Sequence, residues 1–312
     1  MRIGLWPEEE NMKRVIVLCL LFLCLVGTAL ALPETDRAGH PIALRENPER
    51  IVSMAPSTTR VLTDLGLRER LVAIDTYSAG YQPDLSDLPQ FDMMTPDMEK
   101  LAALEPDVIF ITGMSLSGGS NPYQALLDLG IAVVEIPTSS SIEGILQDVA
   151  FIGECVGVST DGLTAKFPQL LDRLKTVSGT IREKRTVAIE VSALPYICCA
   201  GGGTYLDEMI TLIGAENVYH DREAWASLSE EDAVAADPDV IVTVIGYLPD
   251  PVSEILGRKG WESMKAIQSG RVFSLNEESA NQPNHHIVDA LIELARAVYP
   301  EYYGDLSLDS LR

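Results

Sequence analysis

Four stretches of this sequence put small polar residues, glycines or large aromatics where a bound molecule can touch them. Residues 54–59, Met54-Ala55-Pro56-Ser57-Thr58-Thr59, form a small polar turn into a helix. The free N–H groups at Ser57 and Thr58 can receive a ligand oxygen. Capping of the helix by Ser57 or Thr58 accounts for the same residue types. Residues 75–81 carry Tyr77 and Tyr81. Residues 200–205, Ala200-Gly201-Gly202-Gly203-Thr204-Tyr205, let backbone approach a ligand closely, at Gly202 and Gly203 above all. The run lacks the Gly-Lys-Ser/Thr ending of a phosphate loop. Trp225 precedes a helix capped by Ser229. Several large aromatics on such loops suit a flat, partly apolar ligand; any one of them alone is more often a core residue.

Nothing comparable points to bond making. There is no Gly-x-Ser-x-Gly elbow and no catalytic triad spacing. His40, His220, His285 and His286 include no pair at the four-residue helical spacing of a zinc site, and adjacent histidines on a helix point to different faces. They read as structural or exposed. The acidic residues are too numerous for a carboxylate pair to be singled out.

The elements that must position these loops follow one plan used twice. Pro106-Asp107-Val108-Ile109 and Pro238-Asp239-Val240-Ile241 each end a helix and open an apolar, β-branched strand. Fifty-seven residues separate Ile51 from Val108, and 53 separate Val187 from Val240. In the first copy, strands are expected near 51–53, 71–74, 108–111 and 133–136, with helices at 58–65, 96–104 and 122–129. Pro96 and Pro122 suit first helical positions after Thr95 and Asn121, and Gly66 and Gly130 suit helix ends. In the second copy, strands fall near 187–191, 217–219, 240–244 and 272–275, with helices at 205–213, 230–236 and 261–267. Alternating strands and helices predict an α/β fold of two lobes. Each lobe has a mainly parallel four-stranded sheet flanked by helices, and ligands bind beyond the carboxyl ends of the strands. Between the copies, 141–155 and 160–177 read as helical, broken at Gly157. A helix of that length spans roughly 25 Å and makes a stiff strut. The expected organisation is a signal peptide at 1–31, an exposed lead-in at 32–49, a first lobe at 50–156, a connecting helix at 157–182 and a second lobe at 183–312, closed by a helix at 287–298.

The 312 residues carry a formal charge of −23, which argues against nucleic acid and against an anionic membrane surface. The apolar run 15–26 follows Lys13-Arg14 and precedes Ala29-Leu30-Ala31. That is the pattern of a secretory signal cleaved after Ala31. An uncleaved anchor and a lipoprotein signal are the alternatives, and the residues before Cys19 and Cys24 do not suit a lipobox. Beyond the signal remain Cys155, Cys198 and Cys199, an odd number that gives no disulfide framework and reads as small buried residues.

Read in order, the motifs resemble the periplasmic substrate-binding proteins of ABC importers for ferric siderophores, haem and vitamin B12. The resemblance rests on residues 50–59, on Pro96 to Leu101, on the Pro-Asp-Val-Ile strand entry and on Ser141-Ile142-Glu143. In the second lobe it rests on 202–208, 225–231 and 287–291. It covers nearly all of the mature chain. It implies two lobes joined by one rigid helix, a metal chelate held between them, no catalysis, no resident cofactor or metal, and delivery by a monomer to a permease and its ATPase. Thr76-Tyr77-Ser78 with Tyr81-Gln82-Pro83 is similar to the vitamin B12-binding members, where an aromatic in this loop and a Trp at the Trp225 position line the cleft. The resemblance also implies a permease-facing carboxylate on each lobe. The second lobe offers Glu208 with Asp207 beside it. The first has Arg60 where the family has Glu, with Asp64 one turn on as a substitute. The competing reading is a chelatase-like or metal-cluster enzyme, or metallochaperone, on the same two-lobed fold.

Overall fold

The computed structural model describes residues 32–116 and 121–311, so the signal reading at 1–31 lies outside the described residues. The fold is that of the compact unit Pro33–Arg312. Among the described residues, no helix is long and apolar enough to cross a membrane.

The first sheet contains β1 (Ile51–Ser53), β2 (Leu71–Asp75), β3 (Gln90–Phe91), β4 (Val108–Thr112) and β5 (Ala132–Ile136). All five run parallel in the order β3-β2-β1-β4-β5. Strand alternation sends Ile51, Ile74, Phe110 and Val134 to one face and Val52, Ala73, Ile109 and Val133 to the other, and each face has its own apolar cluster. The expected four strands are therefore five. β3 is only two residues long, too short to leave an apolar run.

The second sheet departs further from expectation. It contains β6 (Thr186–Ser192), β7 (Cys198–Ala200), β8 (Glu216–Asn217), β9 (Trp225–Ser227), β10 (Val240–Thr243) and β11 (Val272–Ser274). The order is β11-β10-β6-β7-β9, with β8 beside the start of β6. β8, β10 and β11 lie parallel to their neighbours, whereas β7 and β9 pair antiparallel. The sheet is mixed because β6 turns straight back through residues 193–197, a connection too short for a parallel crossover.

Most helices fall where the sequence places them: Pro56–Asp64, Gln124–Asp128, Tyr205–Leu212, Ile287–Val298 and Glu230–Ala236, the last held by a Ser229/Asp232 capping box. Met98–Ala103 starts later than Pro96 because Asp97, not Thr95, accepts the first free amide, from Lys100. The helix expected at 261–267 shrinks to Lys265–Gln268. Trp261 lies buried in the turn before it, under the Arg258 guanidinium at 4.5 Å.

The stretch 157–182 is not one helix. Gly157 takes φ 72° and ends the Ile142–Val156 helix, and two separate helices follow, Asp161–Thr164 and Phe167–Ser178. Phe167, Leu170 and Leu174 pack into the second lobe's core. It is the Ile142–Val156 helix that touches both cores: Ile142 and Ile145 belong to the second lobe's cluster, Val149, Ile152 and Val156 to the first's.

Candidate functional site

Loops leaving the carboxyl ends of the two sheets meet each other. Tyr81, in the short Ser78–Tyr81 helix after β2, donates from its hydroxyl to Glu277 Oε1 at 3.0 Å, and Glu277 opens the helix after β11. Burial and the hydrogen bond and charge of Glu277 push the Tyr81 phenol up to about 12. Glu277 also presses on the loop after β10: a Cβ on Gly246 would sit 1.5 Å from Glu277 Oε2.

On the first lobe, Ala55 is the N-cap of the Pro56–Asp64 helix, with no side-chain cap bond. Ser57 and Thr58 therefore do not cap. Thr58 is buried, Ser57 half-buried, and among the described residues the N-cap gives the first-turn amides no side-chain bond. Thr59 instead donates to Ser53 Oγ at 2.8 Å, turning its hydroxyl into the core. Buried Asp75 anchors the next loop by accepting the amides of Tyr77 at 2.8 Å and Ser78 at 3.0 Å, along with the Ser78 hydroxyl. Burial raises its carboxyl despite these bonds. The anchor leaves the Tyr77 ring in solvent, 59 % exposed.

On the second lobe, two expectations need correction. Tyr205 is not a cleft residue: it is 2 % exposed, and its hydroxyl donates to Ala280 O at 3.0 Å. It supports Trp225 edge-on from 6.4 Å, while Trp225 itself, on edge strand β9, is 42 % exposed. The glycine run does not receive a ligand at Gly202. The Gly201 and Gly202 amides donate to Ala224 O and Arg222 O, both at 2.7 Å, and a Cβ on Gly202 would lie 2.1 Å from His220 O. Backbone meeting backbone is what these two glycines serve. Gly203 is exposed and needs glycine for its φ of +77°.

The four docking candidates all have partners inside the molecule. Asp207 is buried, accepts from Asn217 Nδ2 at 2.8 Å and His220 Nδ1 at 3.0 Å, and so offers no surface to a permease. Glu208 Oε2 accepts the Ile142 amide at 2.6 Å, at the start of the helix that touches both cores. Arg60 Nε donates to Asp64 Oδ2 at 3.0 Å. The same oxygen receives His285 Nε2 at 2.9 Å and His286 Nε2 at 2.8 Å from the second lobe. Burial works against the Asp64 charge, but these histidines and Arg60 hold its carboxyl well below the usual range. His286 Nδ1 meets Asp289 at 3.1 Å, and its two carboxylates push it up to about 9. The paired histidines escape the divergence expected on a helix because they precede Ile287–Val298, His286 being its N-cap.

A second acid–imidazole group joins Asp36, His40 and Glu135. There the Asp36 oxygens are already taken by the amides of Ala38, His40 and Glu135, which makes it a tether for the lead-in. Cys155, Cys198 and Cys199 are free and at least half-buried, and burial raises each thiol, that of Cys155 to about 12, opposite to the lowered value that marks a reactive thiolate.

Sequence reasoning missed two exposed tyrosines. Tyr196, 82 % exposed, follows β6, and Tyr247, 64 % exposed, follows β10 and accepts the Ala193 amide at 2.9 Å. Both lie past the carboxyl end of a strand, so the rule that singled out Tyr77 would have found them.

Known proteins share this arrangement. The family model described as periplasmic binding protein matches residues 51–279. An uncharacterized ABC transporter substrate-binding lipoprotein of Bacillus subtilis, YvrC, is 26 % identical over 86 % of this chain and 86 % of its own. A cobalamin-binding protein of Halobacterium salinarum is 25 % identical over 85 % of this chain and 73 % of its own. The solved structure of Haemophilus influenzae MolA bound to molybdate superimposes with a TM-score of 0.76 at 23 % identity, over 89 % of this chain and 94 % of that one, a likeness of fold. Two α/β lobes, one sheet parallel and one mixed, facing carboxyl-end loops and a family match across most of the chain leave no room for the enzyme alternative: the chain belongs to the periplasmic binding proteins, the exported, non-enzymatic substrate-binding partners of ABC transporter permeases.

Proposed function

We propose that the protein captures a flat metal chelate, a corrinoid before a ferric siderophore or haem, and hands it to its permease. The exposed aromatics carry this reading. Tyr77 and Trp225, with Tyr196 and Tyr247, are exposed on loops and an edge strand without being needed by a core. Such rings gain by covering a large, partly apolar ligand. The similarity to a cobalamin-binding protein supports the corrinoid class. Absorbance spectra and native mass spectrometry of the protein incubated with cobalamin, haem and ferric siderophores test it. One cobalamin per chain is the expected result, and retention of none of these chelates refutes the reading.

A second reading, an oxyanion such as molybdate, is favoured by the uncapped first turn of Pro56–Asp64, whose amides suit a small anion. Molybdate in the same experiment separates the two. For docking we assign Glu208, half-exposed in the first turn of the Tyr205–Leu212 helix. Glu208→Ala should lower uptake with ligand affinity intact; lowered fold stability with unchanged uptake makes Glu208 an internal anchor only.

A further inference from the structure

The structure assigns a divalent transition-metal site to Asp64, His285 and His286, at the junction of the lobes. Each offers one ligand atom, and these atoms lie within 4.8 Å of one another. Both imidazole Nε2 atoms already face one carboxylate oxygen, at 2.8 and 2.9 Å. Metal–ligand bonds of about 2.0–2.2 Å place ligands of a tetrahedral ion roughly 3.3 Å apart, so each nitrogen–oxygen separation need open by only a few tenths of an ångström. His286 carries the support that metal-bound histidines usually have, its other ring nitrogen being held by the Asp289 carboxylate. His285 is 6 % exposed, with its Nε2 directed at Asp64 and its Nδ1 without a partner among the described residues. The ring centroids are 4.4 Å apart.

Two imidazoles and one carboxylate select a borderline ion such as Zn²⁺, Co²⁺ or Ni²⁺ over Ca²⁺ or Mg²⁺, with water completing the shell. Arg60 is the competitor. Its Nε lies 3.0 Å from Asp64 Oδ2 and 3.2 Å from His286 Nε2, on a half-exposed side chain free to swing outwards. An ion here takes one ligand from the first lobe and two from the second, and so ties the lobes together.

Co²⁺ titration of the purified, chelator-treated protein tests the assignment, read by d–d absorption and stoichiometry. The native chain should bind one ion, His286→Ala and Asp64→Asn should abolish that binding, and Arg60→Gln should strengthen it. Asp289→Asn, a half-exposed change that leaves the core intact, should weaken it about tenfold. His40→Ala should leave it unchanged. Absence of 1:1 binding by the native chain overturns the assignment, as does native affinity in folded His286→Ala, or loss of the ion in His40→Ala.

Discussion

At the scale of single residues, two neighbouring aromatics have opposite jobs. Trp225→Ala should weaken ligand binding by roughly 2–4 kcal/mol, the range of a buried hot spot, measured by titration calorimetry or fluorescence quenching. Tyr205→Phe removes only the bond to Ala280 O, so it should cost about 0.5–1.5 kcal/mol of fold stability and leave affinity unchanged. The sequence showed both residues as candidates but not the difference between them, because burial is decided by what packs against a ring. Asp207 misled in the same way. A carboxylate in the first turn of a helix looks like surface charge until Asn217 and His220 are found upon it. That contact raises His220 above its ordinary 6.5, through the hydrogen bond first and the charge second. A histidine with a raised folded-state pKa contributes stability that is fully present below the unfolded value and lost as pH rises through the folded one. The His220 ring should therefore titrate above 6.5 in the folded protein by NMR, and at the ordinary value in urea.

Among elements, the legible part was that set by local periodicity. The β-branched runs after Pro106 and Pro238 gave β4 and β10, and Ser229 gave the start of its helix to the residue. β8 lies at the start of the strand expected near 217–219, while the short strands β3, β7 and β9 escaped because two or three residues with no β-branched apolar run carry no signal. Their pairing comes from tertiary contact, and in β7 and β9 that contact depends on glycine. Gly201 and Gly202 let residues 222–224 lie against them, which closes the edge of the second sheet beside Trp225. Gly202→Ala should then cost at least about 3 kcal/mol, since the clashing atom is a backbone carbonyl that cannot rotate away. Gly203→Ala meets empty space and bears only a left-handed backbone, about 1–2 kcal/mol. Chemical denaturation of the two variants orders them; equal losses would mean that the backbone approach at Gly202 relaxes more readily than its geometry allows.

For the whole molecule, the question is how far the lobes move when a ligand enters. The Ile142–Val156 helix has one end in each core, so bending it means breaking hydrogen bonds in a 15-residue helix or pulling Ile145 or Ile152 out of its cluster. Its start is pinned twice, by the Ser141 hydroxyl on the Gly144 amide and by the Glu208 carboxylate on the Ile142 amide, an arrangement the helix dipole favours. The lobes are joined again by Tyr81 with Glu277 and by Asp64 with the two histidines. Wide closure needs flexible crossovers that absorb large backbone changes, and a helix anchored at both ends is the opposite of one. We therefore expect small-angle scattering profiles with and without ligand to coincide. Glu277→Gln, which weakens one cross-lobe contact and leaves the helix untouched, should not change that result. A clear compaction on ligand binding would show that the lobes pivot about the helix ends instead of being held by them.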